Sequence, residues 1–225
     1  MRVLLICDDY YHPGNIPAEG AASLEKHGFR FDTVNAAENL NYEKMKEYPV
    51  ILLCKSEQVT QDENSSWKTA AIQQAFTDYV ENGGGLLAVH SALVAGKQTE
   101  QLDRLLGSRF YFHPAACPVL VQPIKPHPVT EGAGQFLETD EHYRLEILDE
   151  NIEIFMASYS NAQGSPEKYE SDPFNNAEAW ISPAGYVRKQ GKGRICVLTP
   201  GHFLPVWLNN EFQRILENAL HWCAG

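Results

Sequence analysis

Ten residues constrain what this chain can fold into more than any others: Gly83-Gly84-Gly85-Leu86-Leu87-Ala88-Val89-His90-Ser91-Ala92. Three glycines stop a preceding helical pattern. Four apolar residues then make a run short enough for a strand buried on both faces, and it ends abruptly on His90 and Ser91. In open parallel sheets, ligands bind beyond the carboxyl ends of the strands, where a polar residue at a sharp strand-to-helix turn presents its side chain. His90 is therefore the first candidate functional residue. Taken alone, a histidine that ends a strand can equally do no more than hydrogen-bond a neighbouring loop.

The flanking pattern agrees with a parallel sheet. Apolar runs at 2–7, 29–34, 50–54 and 194–199 join 86–89 as predicted strands of a central sheet. Helical spacing predicts helices over 16–27, closed by Gly28, and over 67–81. The exit of the first strand, Asp8-Asp9-Tyr10-Tyr11-His12-Pro13-Gly14-Asn15, sits where a first βα loop lines the ligand crevice. Further on, 99–106 reads as a short helix, and 118–124, 141–148, 152–158 and 179–181 as strands. Two polar segments read as loops: 55–66, expected to be mobile, and 159–177, a candidate flap over the site. Phe212, Ile215, Leu216, Ala219 and Trp222 stripe a terminal helix over 209–223. The expectation is an α/β fold with a mainly parallel central sheet and a single domain over 1–225. Trp207, Phe212 and Trp222 near the C-terminus would leave aromatic surface for a homodimer contact.

Composition narrows the partners. A formal net charge of −11, with no lysine or arginine cluster to offset it, argues against nucleic acid and against an anionic membrane surface. No stretch approaches the roughly 18 apolar residues of a membrane span, and the first apolar run is too short for a signal peptide, so a cytoplasmic location is expected. The cysteines at 7, 54, 117, 196 and 223 are widely spaced without a C-x-x-C pair, and read as small buried hydrophobes. A small neutral molecule is the expected ligand, and no nucleotide cofactor is expected.

Several motifs occur in an order and spacing that resemble the ThuA-like (trehalose-utilisation) family: Gly83–Ala92, Phe110-Tyr111-Phe112-His113, His127-Pro128-Val129-Thr130, Asp140-Glu141-His142-Tyr143, Gly191-Lys192-Gly193-Arg194, and Gly201-His202 with Trp207. The resemblance spans nearly the whole chain. It implies a flavodoxin-like, three-layer sheet of the class I glutamine amidotransferase-like superfamily. It also implies a link to sugar catabolism beside oxidoreductases that make 3-keto sugars, so that the small molecule becomes a carbohydrate. Class I amidotransferases carry a nucleophilic cysteine at the elbow and a later histidine as its base. Here His90 stands at the elbow, and Gly201-His202 resembles the later histidine. An imidazole cannot replace a thiolate in forming a stable acyl-enzyme, so glutamine hydrolysis is not expected.

What remains is a pocket with two imidazoles, open to two chemistries. His90 and His202, with His113 and Glu141, could hold a divalent metal, zinc first among them. Alternatively His90 or His202 acts as general base, with Asp140 or Glu141 as acid or orienting carboxylate, on a 3-keto disaccharide or glycoside whose ketone acidifies the neighbouring C–H. The reaction class would be isomerisation, elimination or hydrolysis. Asp8, Tyr10, His12, Ser91, His113 and Tyr143 are candidate substrate contacts. His127, between prolines, reads as a turn residue, and His27, His142 and His221 as surface residues. A non-catalytic sugar-binding or regulatory module on the same fold is the competing reading.

Overall fold

The computed structural model describes residues 1–37, 39–62, 66–96, 98–160 and 180–225. In chain order its strands are β1 (Arg2–Cys7), β2 (Arg30–Val34), β3 (Val50–Cys54), β4 (Gly85–Val89), β5 (Ser108–Phe112), β6 (Cys117–Pro123), β7 (Phe136–Asp140), β8 (Arg144–Ile147), β9 (Glu153–Ser160), β10 (Trp180–Gln190) and β11 (Gly193–Leu198). The helices are α1 (Asn15–Ala22), α2 (Tyr42–Met45), α3 (Ala70–Glu81), α4 (Glu100–Leu106), α5 (Leu204–Leu208) and α6 (Asn210–Ala224).

Nine strands form one mixed sheet in the order β2-β1-β3-β4-β11-β10-β9-β6-β7, and β5 pairs with β8 separately. From β2 to β11 every pairing is parallel; from β11 to β7 every pairing is antiparallel. The five parallel strands are the five read from the apolar runs. Side chains alternate across them and build two cores. Val3, Leu5 and Cys7 face a core with Trp207, Phe212 and Leu216, while Leu4 and Ile6 face another with Trp67, Phe76 and Leu102. The pairing Leu198↔Val89 sets the carboxyl ends of β4 and β11 side by side. That register brings His90 toward Gly201-His202.

The Gly-Lys-Gly-Arg turn has a packing reason. A Cβ on Gly193 would lie 2.1 Å from the Val80 carbonyl oxygen and 2.5 Å from that of Gly84, so only glycine lets β11 start this close to α3.

The antiparallel half is where the structure departs from expectation. β7 was not anticipated, because as an edge strand it buries only Phe136 and Asp140 and leaves Leu137 62% exposed, which blurs the alternation. The strand expected over 141–148 is confined to β8, and Glu141–Tyr143 form a loop instead. β10 continues well beyond 181. Pro183 and Gly185, both poor strand residues, are absorbed at a register irregularity. Trp67 turns into the core ahead of α3, whose N-cap Thr69 accepts from the Ile72 amide. The start of the 55–66 segment is pinned: Lys55 and Ser56 are buried, and the Trp67 indole donates to the Ser56 carbonyl at 2.6 Å. Of the expected flap, Tyr159 and Ser160 end β9, and 161–177 lie outside the described residues. Trp207 and Phe212 are buried, whereas Trp222 is half-buried beside Arg194 and is what remains of the aromatic surface behind the dimer expectation. His142 is not a surface residue; it is buried between Ser158 and Ser160.

Candidate functional site

Four loops meet beyond the carboxyl ends of the parallel strands. His90 follows β4 in a left-handed conformation (φ 46°), as does Asp8 after β1 (φ 76°); strained backbone of this kind concentrates at functional sites. His90 is buried, its ring stacked 4.0 Å from Tyr143, and its Nδ1–H donates to the Thr199 carbonyl at 2.8 Å. That bond leaves Nε2 as the lone-pair nitrogen, 3.3 Å from Glu141 Oε2.

His202 is placed by its backbone. Gly201 takes φ 136°, and the buried Asp140 carboxylate accepts from the amides of Gly201 at 2.8 Å and His202 at 3.0 Å. His202 Nδ1 lies 3.0 Å from Glu141 Oε2 but out of line for a hydrogen bond, and it is buried without a hydrogen-bond partner. The third imidazole is His12. Its Nδ1 sits 2.8 Å from Asp9 Oδ1, and Asp9 is itself held by the amides of Tyr11, His12 and Ser56. The three rings form a near-equilateral triangle, with centroids 5.3, 5.1 and 5.4 Å apart. One donor atom from each of His12, His90, Glu141 and His202 lies within 4.8 Å of all the others.

Electrostatics around Glu141 are unusual. Burial raises its proton affinity, but His202, His90 and His113 outweigh burial and hold its carboxyl well below the usual carboxylate range. Burial pulls His90 below the ordinary histidine value despite Glu141 and Asp140 nearby. Glu141 favours a proton on His90 Nε2 while burial disfavours it, so the 3.3 Å gap between them suits either a shared proton or a cation.

The expected residues divide accordingly. His90, His202 and Glu141 come together. His12, expected to contact sugar, completes their cluster, and His113, expected as a ligand, stands beside it. His113 Nδ1–H donates to the Pro114 carbonyl at 2.7 Å, while Nε2 faces Glu141 Oε1 at 3.5 Å with the side chain 33% exposed. Asp140 is turned to the backbone and not to the open side. Tyr143 and Ser91 are buried, and Asp8 accepts from the Gly14 amide at 2.9 Å. Tyr10, with Tyr11 beside it, is exposed on the first loop. Asp9 was missed, although the Asp-x-x-His spacing after β1 carries the signal: it places a carboxylate where it can orient an imidazole.

No curated protein sequence matches the chain. Among solved structures, a putative ThuA-like protein from Bacteroides uniformis is 24% identical with a TM-score of 0.71, covering 99% of this chain and 91% of its own. A second, from Parabacteroides merdae, is 19% identical with a TM-score of 0.74 over 100% of this chain and 90% of its own. The fold also recurs within a β-galactosidase from Rahnella sp. at 13% identity and a TM-score of 0.65, covering 98% of this chain but 30% of that one. The family model for ThuA, trehalose utilisation, matches residues 2–223, and the chain belongs to that family.

Proposed function

We propose that this protein is a carbohydrate-active enzyme whose centre is the His12, His90, His202 and Glu141 cluster, acting on a 3-keto disaccharide or glycoside. The observation that carries this reading is the convergence of three imidazoles and one carboxylate, with the outer ring nitrogens of two already held, His12 by Asp9 and His90 by Thr199, and the His202 backbone held by Asp140. Such outer partners are what fix metal-binding imidazoles in orientation and tautomer. Four ligands at 2.0–2.1 Å from one ion stand about 3.3 Å apart in a tetrahedron. The Glu141 contacts to His202 and His90, at 3.0 and 3.3 Å, fit that spacing, as does the orphaned His202 Nδ1. A nitrogen-rich set with one carboxylate suits zinc or another divalent first-row ion. When bound, such an ion would polarise a substrate oxygen.

The chain's own residues supply the rest. His113 Nε2, at the open rim, faces where it could take the acidified proton beside a ketone and return it to a leaving oxygen. The exposed Tyr10 and Tyr11 offer ring faces to a pyranose. With His90 at the elbow, no thiolate is available there for amidotransferase chemistry. The strand order β2-β1-β3-β4-β11 supports a flavodoxin-like reading of the parallel half, and the nine-stranded sheet supports a single domain. The five free cysteines fit a reducing, cytoplasmic compartment, and no helix among the described residues is long and apolar enough to cross a membrane.

The test is incubation with a panel of 3-keto disaccharides and glycosides, followed by product analysis. Turnover that His90→Ala abolishes while the melting temperature holds supports the reading. Binding without turnover across the panel replaces it with a sugar-binding module.

A further inference from the structure

Lys68 is 1% exposed, yet it carries an ammonium. Its Nζ donates to the carbonyls of Ala92 and Val94, at 3.3 Å each, on the turn that follows His90. Its own carbonyl accepts from Gln73 Nε2, which also donates to the Gln98 carbonyl and so closes the far end of the same loop. The neighbouring Trp67 reaches Ser56, whose amide binds the Asp9 carboxylate behind His12. Residues 67–68 thus brace two of the three loops that present imidazoles, those of His12 and His90.

The need for a brace at the His90 turn is physical. A non-glycine residue at φ 46° is strained, and such strain persists only where the surroundings over-determine it. Two bonds from one ammonium to the carbonyls just beyond His90, at 3.3 Å each, tie down both ends of that turn. We propose that Lys68 is a positioning residue for His90, its ammonium fixing the left-handed turn that aims the imidazole Nε2 at Glu141. The site sensed by this brace is the one proposed above, but the brace itself is testable without any metal.

The charge on Lys68 is conditional. Burial pulls the amine down to about 8, against Asp103 on α4, Glu57 after β3 and Asp9 after β1, which favour the charged form, while Lys55 opposes it. The turn should therefore loosen as pH rises through that range.

The experiment follows the His90 side-chain 15N–1H correlation by NMR in metal-free protein, with zinc titration as a separate arm. Wild type should show one slowly exchanging Nδ1–H signal at pH 7 that broadens or shifts near pH 8. Lys68→Met should lack the single signal at pH 7 and show no alkaline change. Lys68→Arg, charged throughout, should retain the signal and lose the alkaline change. In the zinc arm, Lys68→Met should bind about tenfold more weakly or worse, the scale of lost outer support. Identical His90 signals and pH profiles in wild type and Lys68→Met would overturn the proposal. If Lys68→Met fails to fold, the wild-type titration decides: a His90 signal unchanged between pH 7 and 9 overturns it. A wild type that binds no zinc would remove the metal reading while the imidazole signals still decide the role of Lys68.

Discussion

Asp140→Asn separates the support of the site from the support of the fold. The Asp140 carboxylate is buried, and its oxygens accept from the amides of Gly201 and His202. Asparagine keeps one acceptor and turns an NH2 group toward the other amide. The lost bond leaves one buried N–H unpaired, at about 1–3 kcal/mol. A compensating term has the opposite sign: burial pushes the Asp140 proton affinity up, more than His90 and the two amides pull it down, so at neutral pH the ionised carboxylate is itself a burden on the fold. The neutral isostere relieves that burden. The two terms oppose each other, and the net change should stay within about 2 kcal/mol, or about 4–8 °C in melting temperature for a domain of this size. The effect on the site has no such compensation. His202 loses the amide anchor that sets its imidazole beside Glu141, and metal affinity and turnover should fall about 10–100-fold. Differential scanning calorimetry reads the first quantity and metal titration with steady-state kinetics the second. A variant that melts 15 °C lower, or that keeps wild-type affinity and turnover, would refute the reasoning.

Other perturbations give sharp expectations. His142 is held between two serines with its pKa pushed down to about 4 by burial and by Arg144, so the unfolded chain binds its proton first. Its contribution to stability is complete above the ordinary histidine value and is lost as pH falls toward 4, by ~3 kcal/mol in all; His142→Gln should flatten the urea-denaturation profile between pH 6.5 and 4. Gly193→Ala drives a methyl against the Val80 and Gly84 carbonyls and should destabilise by about 1–3 kcal/mol without changing site chemistry, as measured by melting and metal affinity together. His113→Ala should cut turnover while leaving metal affinity within about twofold, and His12→Ala should lower both, because only His12 belongs to the four-residue cluster.

The parallel half of the fold was legible because strands buried on both faces must be apolar, and β3, β4 and β1 from Val3 onward are. The antiparallel half was not. β7 and β10 are edge-like or interrupted, and Pro183 and Gly185 read as breakers until the irregularity that absorbs them is seen. At the site, His90 was legible from the strand end that exposes it and His202 from its glycine. Which third imidazole joins them depends on how two loops fold back, over distances no spacing encodes: the order of β1 beside β3 brings Asp9 within reach of Ser56, and that bond turns His12 inward. His113, a better match to the resemblance, is drawn aside by its bond to Pro114.

In the proposed function, His12, His90, His202 and Glu141 jointly hold one divalent ion that the reaction needs. Metal analysis of protein purified without a histidine tag, before and after chelation, with activity on a 3-keto glycoside measured on the same samples, tests it most directly. The expected result is close to one equivalent of a divalent first-row ion, removal of both ion and activity by chelator, and recovery of both on adding zinc to wild type but not to His12→Ala. Full activity in a sample stripped of metal would contradict it.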